Sequence, residues 1–141
     1  MTKIKEFSPL DGESILTQIE GNAWNSSPNP LVSIIASITK LIFAILGVKM
    51  RTYIIVTNLR IVQVEKKTIL WGILPGAVDV ITLNKATIQS VGYSMRSSWF
   101  IFRKWYFILA NMSGTLLITY KDDKDKLIES CTILDKIVAQ R

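Results

Sequence analysis

An apolar segment of 18 residues, 31–48, constrains the fold of this chain more than any other feature of its sequence. It carries a single charge, Lys40, and it lies between a turn-forming stretch at 25–30 and a basic group that contains Lys49 and Arg51. Eighteen helical residues measure about 27 Å, slightly less than the roughly 30 Å of a bilayer core. Length alone therefore leaves membrane spanning open.

On a helical wheel this segment has a narrow stripe of small and polar residues and a wide apolar side. Three locations are compatible with such a helix: the membrane surface with Lys40 reaching the head groups, a helix interface in an oligomer, or the core of the domain. Lys40 and the width of the apolar side argue against the core, so we predict an anchor or an interface. Its residues are Leu31, Ile35, Ile38, Ile42, Ile45 and Leu46.

Basic residues are concentrated in the middle of the chain. The formal net charge is +6, whereas residues 31–110 alone carry ten basic side chains against two acidic ones, Glu65 and Asp79. Anionic lipid attracts such a charge, and so does nucleic acid. Because no RNA-recognition motif is present, nucleic acid is not expected as a partner. The remaining alternative is a passive basic surface.

A second group of basic and aromatic residues lies within 95–107. Its composition is typical of a membrane–water boundary. In a strand, however, both faces of this stretch are apolar, which indicates instead that a helix or a partner covers the second face. The head-group candidates of the whole chain are Lys49, Arg51, Arg96, Arg103 and Lys104, and Trp99 and Trp105 join the anchor or interface candidates.

After residue 48 the hydrophobic period changes from 3.6 to 2, which predicts a series of six or seven short strands. Local connections of this kind favour a bent sheet or a barrel, because closure removes exposed edges. Turns or breaks are predicted at Thr57-Asn58, Glu65-Lys66-Lys67, Pro75-Gly76 and 111–114, the last with the strongest hairpin signal.

The last part of the chain predicts an amphipathic helix over 123–139. Leu127, Cys131 and Leu134 recur at helical spacing, and aspartates at the start suit the positive end of the helix dipole. Cys131 lies on the apolar stripe, with no basic residue at helical spacing to lower its pKa. We therefore predict a buried hydrophobic role for this cysteine rather than a reactive thiol.

Four stretches carry a family resemblance: LDGESILTQIEGNAW (10–24), YIIVTNLRIVQVEKK (53–67), DVITLNKATIQSVGYS (79–94) and SGTLLITY (113–120). With the terminal helix, they resemble the bacterial pleckstrin-homology-like (PH-like) domains over about residues 10–139. The resemblance implies one domain over 1–141. Its fold would be mainly β with helices: a bent antiparallel sheet or partly open barrel of six to seven strands, capped by the C-terminal helix. The apolar helix 31–48 would be inserted between the first two strands.

The resemblance implies an interaction or assembly module rather than an enzyme. The chain has no histidine and no phosphate-binding glycine loop. Asp122, Asp123 and Asp125 indicate a helix start rather than a calcium site. We expect no catalysis, no metal and no cofactor. Since the N-terminal stretch has no signal-peptide pattern, we expect a cytoplasmic protein, peripheral to or anchored at the inner membrane.

The expected function is non-catalytic, at the cytoplasmic membrane surface or in a homo-oligomer that forms through 31–48. The expected partners are thus the membrane surface, a second copy of the chain, or another protein. The alternative is a soluble oligomerising scaffold or protein-binding domain without membrane contact. Liposome binding and oligomeric state distinguish these hypotheses.

Overall fold

The computed structural model describes residues 4–23, 38–39, 41–98, 102–112, 114–120 and 123–140. The strands are β1 (Ile15–Ala23), β2 (Lys49–Thr57), β3 (Ile61–Ile69), β4 (Leu74–Leu83), β5 (Ile88–Ser98), β6 (Phe102–Asn111) and β7 (Gly114–Tyr120), followed by helix α1 (Lys124–Ala139). Short 3-10 helices lie at Leu70–Gly72 and Lys85–Thr87. Within the apolar segment, residues 38, 39 and 41–45 are helical, whereas 31–37 and 40 lie outside the described residues.

The strands form one antiparallel sheet in the order β4-β3-β2-β1-β7-β6-β5. This confirms the predicted mainly β fold with a C-terminal helix. The β6–β7 hairpin turns where the sequence predicts it, since Asn111 pairs with Gly114. The outer strands of the described sheet are β4 and β5, so the sheet is open.

A short junction between β1 and β7 holds the two halves of the sheet together. Residues 21–23 of β1 pair with 118–120 of β7, and the junction starts where Gly21 meets Tyr120. A Cβ atom on Gly21 would collide with the carbonyl oxygen of Thr119 and the side chain of Ile118. Only glycine allows the strands to approach so closely, which explains this residue in the middle of a strand.

Helix α1 covers one face of the sheet and closes the main core. Asp123 caps the helix by accepting a hydrogen bond from the amide of Asp125. The predicted helix and the buried position of Cys131 are both confirmed. The core on this face consists of Ile19, Ile54, Val56, Ile61, Leu83, Ile88, Phe107, Leu109, Ile118, Tyr120, Leu127, Cys131 and Leu134.

The opposite face of β2 and β3 carries a second, smaller core. Tyr53, Ile55, Val62 and Val64 pack there against Ile4, with Phe7 at the margin. The N-terminal segment 4–14 therefore covers the outer face of these strands. Because both faces are covered, β2 is buried continuously from Thr52 to Thr57 rather than at alternate positions.

The predicted turn at Glu65-Lys66-Lys67 is wrong. These residues belong to β3, which continues to Ile69, and the chain reverses at residues 70–73 instead. Two of the three charged side chains have polar partners: Lys66 forms an ion pair with Glu6 of the N-terminal segment, and Glu65 accepts a hydrogen bond from Gln63 of β3.

The predicted break at Pro75-Gly76 is also wrong, because both residues lie in β4. Proline is tolerated there because β4 is an edge strand, where a missing N–H costs little. The ladder shifts register between Lys66 and Thr68 at this point. A Cβ on Gly76 would lie 2.6 Å from the carbonyl oxygen of Lys67, so glycine permits the irregularity.

Candidate functional site

A basic cleft lies where β2 begins and β3 ends. Alternate residues of β2 point to the same face as their partners on β3, so Lys49 stands opposite Thr68 and Arg51 opposite Lys66. The cleft has a volume of about 310 Å³. It is lined by Lys49, Arg51, Tyr53, Lys66, Thr68, Trp71 and Gly72.

Two like charges face each other directly in this cleft, which is unfavourable for a sheet. Arg51 and Lys66 occupy opposed positions in the ladder. Each is balanced by a carboxylate from elsewhere: Glu20 lies 3.5 Å from Arg51, and Glu6 forms an ion pair of 2.5 Å with Lys66. The hydrogen bond from Lys66 lowers the pKa of Glu6, and a hydrogen bond with the Tyr53 side chain raises that of Arg51.

Lys49 is the cation of the cleft that has no ion-pair partner within the described ranges. It is exposed, and Arg51 keeps 58% of its side chain exposed despite its contact with Glu20. With three cations beside two carboxylates, the cleft keeps a net positive charge. It is therefore suited to a small anionic group that approaches from solvent.

Beside the cleft lies a group of exposed apolar side chains, which we call the apolar edge. One part belongs to the described residues of the apolar segment and the other to the β3–β4 turn. Exposure ranges from 41% at Leu70 to 78% at Ile73, values that are high for side chains of this type. Its members are Ile38, Leu41, Ile42, Ile45, Leu46, Leu70, Trp71, Ile73 and Leu74.

Backbone hydrogen bonds join the two parts of the apolar edge. The amide of Leu70 donates to the carbonyl oxygen of Leu46 at 3.3 Å, and that of Trp71 donates to Gly47 at 2.7 Å. Leu70 and Trp71 both have left-handed backbones, with φ of 52° and 56°. This conformation costs non-glycine residues about 1–2 kcal/mol each. Trp71, 62% exposed, belongs to both the cleft and the apolar edge.

The sequence-predicted residues fall into three groups. Lys49 and Arg51 lie in the cleft, and Ile38, Ile42, Ile45 and Leu46 lie in the apolar edge. Leu31, Ile35 and Trp99 lie outside the described residues. Arg96, Arg103, Lys104 and Trp105 lie on β5 and β6.

The β5–β6 group is separate from the cleft, because β1 and β7 lie between the two in the sheet. Arg96 pairs in register with Lys104, and its guanidinium lies 5.3 Å from the centre of the Tyr106 ring. Trp105 is half-buried against the main core, with the ammonium of Lys124 over its ring. These residues form a second cationic and aromatic surface, on the strands at the opposite end of the strand order from the cleft.

Of the residues that line the cleft, only Lys49 and Arg51 are predicted as site residues from the sequence. Lys66 and Trp71 are the charged and the large aromatic side chain that this prediction omits, and Tyr53, Thr68 and Gly72 are omitted as well. The sequence predicts Lys66 in a turn, whereas it lies in β3. The signal that was available is the Leu-Trp-Gly-Ile-Leu stretch at 70–74, where a glycine lies among bulky apolar residues, as in a tight exposed turn.

An ion pair outside the cleft fixes the N-terminal segment. The side chain of Glu13 is fully buried and accepts hydrogen bonds from Nε and Nη2 of Arg60 at 2.9 and 3.1 Å. It also accepts from the Thr57 hydroxyl and the Leu10 amide. These donors, chiefly Arg60, lower the pKa of Glu13 to about 2. The arrangement ties the segment to the β2–β3 turn and leaves no free carboxylate oxygen for chemistry.

Three further properties concern the part of the chain that the structure describes: metal binding, thiol chemistry and membrane spanning. No group of three or more potential metal ligands occurs there. Burial raises the pKa of the Cys131 thiol to about 11. None of the described helices is long and apolar enough to cross a membrane.

Fold and cleft together define a mainly β protein with an open antiparallel sheet, a C-terminal helix and a cationic surface cleft. No protein-family model, curated protein or solved structure matches the chain.

Proposed function

We propose that this protein is a PH-like, non-catalytic module that binds the anionic surface of the cytoplasmic membrane. The seven antiparallel strands and the C-terminal helix support the PH-like assignment, as does the helical stretch between β1 and β2. In this proposal the sheet is bent into a partly open barrel, and helix 31–48 is inserted between its first two strands. The whole chain acts as one domain.

One observation carries the membrane assignment: exposed apolar side chains adjoin exposed cations. Ile42, Ile45 and Leu46 are 49–67% exposed, and the chain continues directly into Lys49 and Arg51. Apolar side chains gain free energy by entering the interface, and each cation near an anionic surface adds about 1 kcal/mol. The segment would lie on the membrane rather than cross it, with its cations level with the phosphates.

Flotation of the full-length protein with vesicles tests this proposal. We expect binding to phosphatidylcholine vesicles that contain phosphatidylglycerol, and much weaker binding to phosphatidylcholine alone or at high salt. The double variant Lys49→Glu/Arg51→Glu should lose at least about tenfold in affinity.

The matched control is Lys126→Glu/Lys136→Glu, which changes the net charge equally at two exposed positions of α1. Binding of this variant should stay close to wild type. An equal loss in both variants would show that total charge, not the cleft, determines binding. A third variant, Arg103→Glu/Lys104→Glu, asks whether the β5–β6 surface contributes.

A second candidate function is a homo-oligomeric scaffold without membrane contact. The edge strand β4 favours it, because Val78, Val80 and Ile81 are 43–49% exposed beside an edge that pairs with no other described strand. Light scattering after size exclusion, without lipid, tests this candidate. A defined oligomer that Val80→Lys or Ile42→Glu/Ile45→Glu converts to a monomer would support it and oppose the membrane proposal.

A further inference from the structure

We infer that the β3–β4 turn, residues 70–73, and the first residue of β4, Leu74, form a second membrane-inserting element that enters the head-group boundary of an anionic bilayer together with the apolar segment. This inference rests on the proposed membrane function and extends it to an element that is distant in sequence. The residues that would enter the membrane are Trp71, Ile73 and Leu74, which are 62%, 78% and 48% exposed.

The turn is held in place rather than free. Its amides at Leu70 and Trp71 donate to the carbonyl oxygens of Leu46 and Gly47, so backbone hydrogen bonds join the turn to the segment. Leu70 and Trp71 are two consecutive left-handed residues, and Trp71 is 62% exposed. Strain of this kind persists only where the surroundings enforce it, and it is typical of functional positions.

The positive charge of the neighbouring cleft indicates what kind of surface covers the apolar edge. Trp71 borders the cleft with Lys49, Arg51 and Lys66, so any surface that covers the apolar edge also meets these cations. A second copy related by a two-fold axis would bring the same cations close to their own copies, which repulsion opposes. An anionic lipid surface instead satisfies both features, with acyl chains for the edge and phosphates for the cleft. Tryptophan beside cations is a common composition at that boundary.

The main test changes Ile73, the most exposed member of the turn, in the full-length protein. Ile73→Glu should weaken binding to phosphatidylglycerol-containing vesicles by about tenfold or more, because an isoleucine that would enter the bilayer is replaced by a charge that the anionic surface repels. The matched control is Met112→Glu in the β6–β7 turn, where Met112 is 73% exposed. That variant should change the affinity less than about twofold.

A second measurement does not depend on a charged substitution. Ile73→Cys and Met112→Cys are each labelled with a polarity-sensitive fluorophore, since the native thiol, Cys131, is buried. On addition of anionic vesicles, the fluorescence emission of the label at residue 73 should shift to shorter wavelength, and that of the label at residue 112 should not.

The outcomes separate the two proposals. If Ile73→Glu binds like wild type and the label at 73 does not shift, while Lys49→Glu/Arg51→Glu loses binding, the turn stays in water. The inference is then overturned, and the membrane function stands. If wild type binds no vesicle of either composition, both proposals fail. If the label at 73 shifts without lipid as protein concentration rises, the edge meets a second copy and the inference is overturned.

Discussion

The amide of Trp71 donates a 2.7 Å hydrogen bond to the carbonyl oxygen of Gly47, which joins the β3–β4 turn to the end of the apolar segment. The approach is close because residue 47 has no side chain. A Cβ there would lie 2.5 Å from the Trp71 nitrogen and 2.7 Å from its indole ring. Gly47 also has a left-handed backbone, with φ of 64°. The candidate membrane surface therefore depends on this single glycine.

Gly47→Ala should separate the turn from the segment. The alanine side chain would be strained by the left-handed backbone at residue 47 and would collide with Trp71. Together these effects should lower the free energy needed to break the contact between turn and segment by about 2–4 kcal/mol, measured by hydrogen exchange at the Trp71 amide. Gly12→Ala is the control, because Gly12 has a similar φ of 75° but nothing within 4 Å of a Cβ. Unchanged protection of Trp71 in Gly47→Ala would contradict the described contact.

Glu13 should make the protein sensitive to acid. Its pKa falls from 4.5 in the unfolded chain to about 2 in the fold, so the folded state binds this proton more weakly. The resulting stability is present above about pH 4.5 and is lost as the pH falls towards 2. Urea unfolding at a series of pH values should show this loss in wild type.

The variant Glu13→Gln should be less stable than wild type at pH 7, because the ion pair with Arg60 is gone. Its stability should change much less between pH 4.5 and 2. Glu129→Gln, at an exposed position of α1, should follow the wild-type curve. A Glu13→Gln curve parallel to wild type would mean that other carboxylates cause the acid sensitivity.

A buried hydroxyl pair joins α1 to β1. The oxygens of Thr17 and Ser130 lie 2.7 Å apart in a hydrogen bond. Ser130→Ala leaves the Thr17 hydroxyl without its partner and should cost about 1–3 kcal/mol of unfolding free energy. The double variant Thr17→Val/Ser130→Ala should cost less than the sum of the single changes, because both polar groups are removed together. Strict additivity in urea unfolding would show that the two hydroxyls do not interact.

Cys131 should be unreactive in the folded protein. The residue is 7% exposed, and burial raises the pKa of its thiol to about 11, which leaves little thiolate at neutral pH. Alkylation by iodoacetamide at pH 8 should be at least about 100-fold slower in the native state than in urea. Equal rates would place Cys131 at the surface.

Periodicity and turn chemistry predicted much of this fold because they are local. The β6–β7 turn and helix α1 follow from spacing and capping that a short stretch contains in full. The turn at 65–67 was wrong for the opposite reason. Lys66 lies in β3, paired with β2 and β4, and its ion-pair partner Glu6 is 60 positions away in sequence. No local pattern contains that partner.

The candidate site was predictable to a similar extent. Lys49 and Arg51 follow from their position after an apolar segment, and the exposed side of that segment was expected from its helical wheel. Lys66 and Trp71 enter the site only through the register between β2 and β3, which pairing in the fold determines. Helix 31–48 as a whole stays a prediction, because part of it lies outside the described residues.

The junction at Gly21 and Tyr120 also limits when this protein can fold during synthesis. The two residues are about 100 positions apart, so β1 cannot pair with its second neighbour until the chain as far as β7 has left the ribosome. Until then the nascent β1–β4 half has an unpaired strand on each side and no helix over its main core. Such intermediates are prone to aggregation, so slow translation should harm this protein more than one built from local hairpins alone.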